Sequence, residues 1–139
     1  MSYTEELGIR AKAAETAVST ASTLVKNNAL AAVAKALRSN KELIIAENAK
    51  DIAAAKANNM SASLQDRLLL TEQRIEDIAE SVEELIALND PVGEIVGGGS
   101  RPNGIRIMKT RVPLGVIGII YESRPNVTVD GATLCLKSG

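Results

Sequence analysis

The sequence predicts an α/β protein: a helical N-terminal part, a β-hairpin, and the start of a parallel-sheet domain. Three observations predict it. From residue 4 to residue 88, apolar side chains recur at spacings of 3 and 4, the period of helices with one buried face. Between 93 and 112 that period vanishes, and β-branched residues flank a "PNG" turn signal. Residues 114–120, "LGVIGII", are apolar on both faces, and a polar corner and a further helix follow. A strand greasy on both sides belongs inside a parallel sheet covered by helices. The chain therefore divides into a helical part (1–90), a hairpin (91–112) and a first βα unit (113–139).

Each element has its own signals. Thr4 is placed to cap a first helix, with Glu5 and Glu6 favourable in its first turn. Leu7, Ala11, Ala14, Val18, Ala21 and Val25 form its stripe, which Asn27 and Asn28 interrupt before a short second helix bearing Leu30, Val33, Ala34 and Leu37. "SNKE" (39–42) matches a capping box for a third helix with Ile45, Ala49, Ile52 and Ala53 inward. "SLQDRLLL" (63–70) is a short helical segment. Thr71 caps the cleanest amphipathic helix, with Ile75, Ile78, Val82, Leu85 and Ile86 on one face, ending before Pro91. The hairpin pairs a short strand at 94–96 with a longer one at 105–112, and Gly97–Gly99 falls at its end. Neither face of the second strand is cleanly apolar, so it is a ribbon at an edge or interface. After the strand at 114–120, Val127, Ala132, Leu134, Cys135 and Leu136 offer a packed helical face, with Gly139 as its C-cap.

Composition bounds the function. Of 139 residues, 45% are hydrophobic but only 1% aromatic, with no Phe or Trp. Ala-rich faces bury little area, so the segment should be only modestly stable alone. Sixteen basic and seventeen acidic residues give a net charge of −1, which argues against a nucleic-acid binder. The charges are interspersed, as on solvated helix faces. No apolar run reaches the length of a membrane span. One cysteine and no secretory leader fit a cytoplasmic compartment. The absence of His removes the commonest general base and metal ligand, and no metal site is expected.

A crossover helix exists to return the chain to a second parallel strand. Here strand, polar loop and helix are followed by no return strand, which reads as an incomplete part of a larger fold. Ligands in open parallel sheets sit beyond the C-terminal strand ends, which points to residues 121–126.

Those residues carry a family resemblance. "RVPLGVIGIIYESRPNVTVDGATLCLKSG" (111–139) resembles the cofactor-domain entry of γ-glutamyl phosphate reductases (glutamate-5-semialdehyde dehydrogenases), in the aldehyde dehydrogenase superfamily. "NAKDIAAAKANNMSASLQDRLLLT" (48–71) and "LNDPVGEIVGG" (88–98) resemble the same family in the same order. The resemblance spans the family's N-terminal third. It implies a Rossmann-like cofactor domain begun at residue 113, and a reaction in proline biosynthesis. NADPH reduces L-glutamyl 5-phosphate to glutamate 5-semialdehyde, through a cysteine thiolate that attacks the acyl phosphate and forms a thioester. The family's cysteine falls beyond the matched stretch, so this chain is not expected to act alone, nor to bind the nicotinamide cofactor. The full-length enzyme is expected to be a homo-oligomer. A second reading, from another class, is a non-catalytic helical interaction module of the same ancestry.

The site expectations follow. Asn126 is assigned a catalytic place, its amide donating to an oxyanion as the resemblance implies. Glu122, Ser123 and Arg124 are assigned to substrate or cofactor, since a guanidinium at a strand end can hold a phosphate or carboxylate by two bonds. The bland alternative pairs Arg124 with Glu122 and makes Asn126 a helix cap. Cys135, between Leu134 and Leu136, reads as buried and inert and does not match the family's nucleophile. Arg106, Lys109 and Arg111 could serve a subunit interface, since a protruding ribbon does so in the wider superfamily.

Overall fold

A computed structural model describes residues 2–139. It is built of six helices and one two-stranded antiparallel sheet: α1 (Tyr3–Ser19), α2 (Thr23–Ser39), α3 (Lys41–Ala57), α4 (Ala62–Leu68), α5 (Glu72–Ala87), β1 (Ile95–Ser100), β2 (Arg106–Thr110) and α6 (Pro125–Ser138).

Local chemistry sets most boundaries, with shifts from expectation. Ser2, not Thr4, caps α1, in a capping box with Glu5. The break after α1 falls at residues 20–22, where Ser22 caps α2, and Asn27 and Asn28 lie inside α2. "SNKE" forms no capping box: Ser39 ends α2, and Asn40 precedes α3 without a side-chain cap bond. Thr71 caps α5 as expected, accepting from the Arg74 amide.

The core lies between α2 and α5, where Leu30, Ala34, Ala79 and Val82 are buried, with Val129 and Leu136 of α6 against them. Ala34 facing this cluster beside Ala79 lets the helices approach closely, as an Ala-rich sequence allows. Arg38 ties the same helices at the surface, bonding Glu83 through two nitrogens and Glu76 through Nε. The Arg38 bond holds the Glu83 carboxyl below its ordinary value.

Elsewhere burial departs from the predicted stripes. None of the α1 residues is buried. In α3 the buried positions are Asn48 and Ala55, while Ala49 and Ala53 are exposed. Asn48 is tolerated on the inner face because both ends of its amide are bonded: Nδ2 donates to the Leu68 carbonyl at 2.8 Å, and Oδ1 accepts from the Leu70 amide at 2.7 Å. In α6 the buried residues are Thr133 and Lys137; Ala132 and Leu134 are exposed, and Cys135 is half-buried rather than buried.

The hairpin forms, with its turn at "PNG". The Gly104 amide donates to the Arg101 carbonyl, and the Arg101 amide to that of Ile105. Its first strand is longer than expected, because Gly97–Gly99 lies in β1 opposite Lys109, Met108 and Ile107. A glycine run can lie flat against a neighbouring backbone. At Gly98 (φ +156°) a Cβ would sit 2.3 Å from the Ile107 carbonyl oxygen, so only glycine fits. A register shift between Ile95 and Gly97 marks a bulge. All residues of β1 and β2 are exposed.

The chief correction concerns residues 114–120. They form no strand, and Leu114 and Ile120 are 89% and 102% exposed. A parallel strand is held by ladder bonds to a neighbour, and the described residues supply none. The only sheet among them is the antiparallel hairpin. No described helix is long and apolar enough to cross a membrane.

Candidate functional site

The predicted loop occupies the corner between the apolar segment and α6. Ser123 takes a left-handed backbone (φ +51°), unusual for a residue with a side chain, and it turns the chain into the helix. Arg124 holds the N-cap position without a side-chain cap bond, and Pro125 begins the helix. That is a favoured place for proline, because the first helical N–H has no partner to lose. The Tyr121 hydroxyl meets the Thr128 hydroxyl at 2.7 Å, bracing the corner from outside.

Both parts of the bland alternative fail. Asn126 lies inside the first turn of α6, so it is no cap; its Nδ2 donates to Asp130 Oδ2 at 3.0 Å, one turn on. Arg124 is exposed and forms no ion pair among the described residues, with Glu122 or any other.

Arg124, Asn126 and Asp130 line one side of a cavity of about 450 Å³, with Arg74, Asp77 and Ser81 of α5 opposite and the C-terminal end of α4 closing it. Sequence reasoning found the first two of these residues and missed the α5 wall and Asp130. The missed signal was the i,i+4 pair of Asn126 and Asp130, which puts both side chains on one helix face. Glu122 is exposed and does not line this cavity. Arg74 is held in place by bonds to the Leu69 carbonyl at 2.8 Å and to Asp66 Oδ1 at 3.0 Å.

The far end of α6 is fixed by buried charge. Lys137 donates to Asn27 Oδ1 at 2.8 Å and to the Ile86 carbonyl at 3.3 Å. Next to it, Lys26 pairs with Asp90, which also accepts from Thr23 and the Val92 amide. Burial pushes the Asp90 carboxyl up, but the Val92 amide, Lys26 and Thr23 overcome it and hold the carboxyl below its ordinary value. The interspersed charges, Lys26 and Lys137 among them, read from the sequence as solvated helix faces, whereas these two are buried. The available signal was Lys26 itself, one and two turns before Leu30 and Ala34 on the core stripe.

No protein-family model matches the chain. Curated relatives do. A γ-glutamyl phosphate reductase of Mannheimia succiniciproducens is 52% identical over 134 residues, 96% of this chain and 32% of the relative. One of Moorella thermoacetica is 54% identical over 132 residues, 95% of this chain and 32% of the relative. This chain resembles the N-terminal third of the γ-glutamyl phosphate reductases. It thus spans about a third of the length of the relatives it matches. The crystal structure of the γ-glutamyl phosphate reductase of Thermotoga maritima superimposes with a TM-score of 0.91 at 41% identity, over 96% of this chain and 32% of that one. That of Saccharomyces cerevisiae gives 0.92 at 29% identity, over 99% and 35%. The helices and hairpin described above are therefore an arrangement shared with γ-glutamyl phosphate reductases.

Proposed function

We propose that the chain is the N-terminal part of an NADPH-dependent, oligomeric reductase that converts L-glutamyl 5-phosphate to L-glutamate 5-semialdehyde in proline biosynthesis. Residues 113–139 are then the first βα unit of its cofactor domain. The observation that carries this reading is the 52–54% identity to relatives bearing that name over 95–96% of the chain. The exposed apolar run at 114–120 supports it, since such a surface calls for cover that the described residues do not give.

In this reading Asn126 presents an amide N–H to the oxyanion that forms when the acyl phosphate is attacked. One N–H is already given to Asp130, which fixes the amide and leaves the second free. Glu122, Ser123 and Arg124 contact substrate or cofactor from the same corner. NADPH supplies the hydride when bound. A dinucleotide is much larger than the cavity beside Arg124, and the described residues form no cleft between strand ends for one.

The test is a chimera in which this chain replaces the matching third of the Thermotoga maritima relative. The expected result is phosphate-dependent oxidation of glutamate semialdehyde with NADP, the reaction run backwards. A folded chimera without that activity overturns the reading.

A further inference from the structure

The cavity between α5 and α6 holds unpaired charge of both signs. Three guanidinium groups (Arg67, Arg74, Arg124) and three carboxylates (Asp66, Asp77, Asp130) line it. Only Arg74 and Asp66 pair with each other. The other four form no ion pair among the described residues. The Asp77 side chain accepts from the Gln73 amide at 2.8 Å, and that of Asp130 from the Asn126 amide at 3.0 Å, both neutral donors. A simple anion such as phosphate would meet two unneutralised carboxylates here, and a simple cation two guanidinium groups. A ligand carrying both charges on one carbon satisfies both.

We infer that this cavity seats the α-amino-acid head group of the substrate, with its α-carboxylate on Arg124 and its α-ammonium on Asp130. The assignment rests on the proposed reaction and deepens it. The reacting acyl carbon of a glutamyl chain lies three bonds from the α-carbon. A head group held at Asp130 therefore brings the acyl oxygen toward Asn126, the residue hydrogen-bonded to Asp130 one turn earlier. It also sets a specificity: a substrate whose amine is acylated brings no cation to Asp130 and leaves that carboxylate unpaired.

The test uses the full 139-residue chain and two probes, L-glutamine and N-acetyl-L-glutamine, followed by two-dimensional amide NMR. L-Glutamine is expected to shift the amides of Asp77, Ser81, Asn126 and Asp130 saturably. N-Acetyl-L-glutamine is expected to bind at least tenfold more weakly. Asp130→Asn should lower L-glutamine affinity about tenfold while leaving the far-ultraviolet circular dichroism unchanged. If that variant unfolds, the two probes on the unaltered chain decide alone. Equal affinity for both probes, or no response to L-glutamine in these amides, overturns the assignment. The chimera separates this failure from the other. An active chimera whose first third ignores L-glutamine removes the head-group site and keeps the reaction, whereas selective binding with a folded, inactive chimera removes the reaction.

Discussion

The Nζ of Lys26 lies 3.0 Å from one carboxylate oxygen of Asp90 and 3.2 Å from the other, and the lysine is only 1% exposed. Sixty-four residues separate the pair, so it joins the start of α2 to the chain just beyond α5. Lys26 also reaches the Lys137 carbonyl at 3.5 Å, bringing the end of α6 into the same cluster. An ammonium taken out of water is held only where carboxylate and carbonyl oxygens replace its hydration.

Asp90→Asn removes the carboxylate and strands the ammonium. The expected loss is about 3–5 kcal/mol, the usual result of breaking a buried pair from one side. Lys26→Met should cost less, since Asp90 keeps the Thr23 and Val92 bonds and some contact with water. Urea denaturation of both variants checks the order; equal losses would contradict it.

The same pair makes stability depend on acid. The native Asp90 carboxyl is held below its ordinary value of 3.8. A depressed carboxyl contributes stability that is fully present above the unfolded value and is lost as pH falls through the native one. The gap between the unaltered chain and Asp90→Asn should therefore be constant from pH 7 to about 5 and narrow below 3.8. Unfolding free energies measured along that series show it directly.

What the sequence made legible follows from how local each feature is. The α5 stripe and the Thr71 cap are set within a few residues, and both were readable. The corner at 121–126 was readable too, because a turn from apolar to polar residues needs no distant partner. The Lys26–Asp90 and Lys137–Asn27 contacts span 64 and 110 residues, and no local period announces them. Residues 114–120 show the opposite case. Their composition is that of a buried strand, but a strand is a pairing, and among the described residues they have no neighbour to pair with.

Leu30→Ala and Leu114→Ser should differ sharply. Leu30 is fully buried in the α2–α5 core, and its truncation should cost about 2–5 kcal/mol. Leu114 is 89% exposed, and its replacement should stay within about 0.5 kcal/mol. Thermal unfolding of the two variants is the check. A large loss at Leu114 would mean that the segment is covered in solution.

Gly98→Ala should break the hairpin and spare the core. The new methyl would meet the Ile107 carbonyl oxygen at 2.3 Å, in a backbone conformation that side chains rarely adopt. Every residue of both strands is exposed, so little apolar burial is lost with the ladder. Amide exchange at Ile107 and Lys109, which face Gly99 and Gly97 in the ladder, should quicken, while the melting temperature of the helical core stays near that of the unaltered chain. A cooperative fall of both would show that the hairpin and core unfold together.

Arg124→Ala tests the corner itself. Arg124 is exposed, forms no ion pair among the described residues, and gives its helix no cap bond. Its loss should therefore leave stability within about 0.5 kcal/mol. A charge-assisted hydrogen bond is worth about 1.5–3 kcal/mol, so in the chimera kcat/KM for glutamate semialdehyde should fall roughly tenfold or more. Activity that falls only in step with a lowered melting temperature would make Arg124 a structural residue. Unchanged kinetics in a stable protein would remove it from the site.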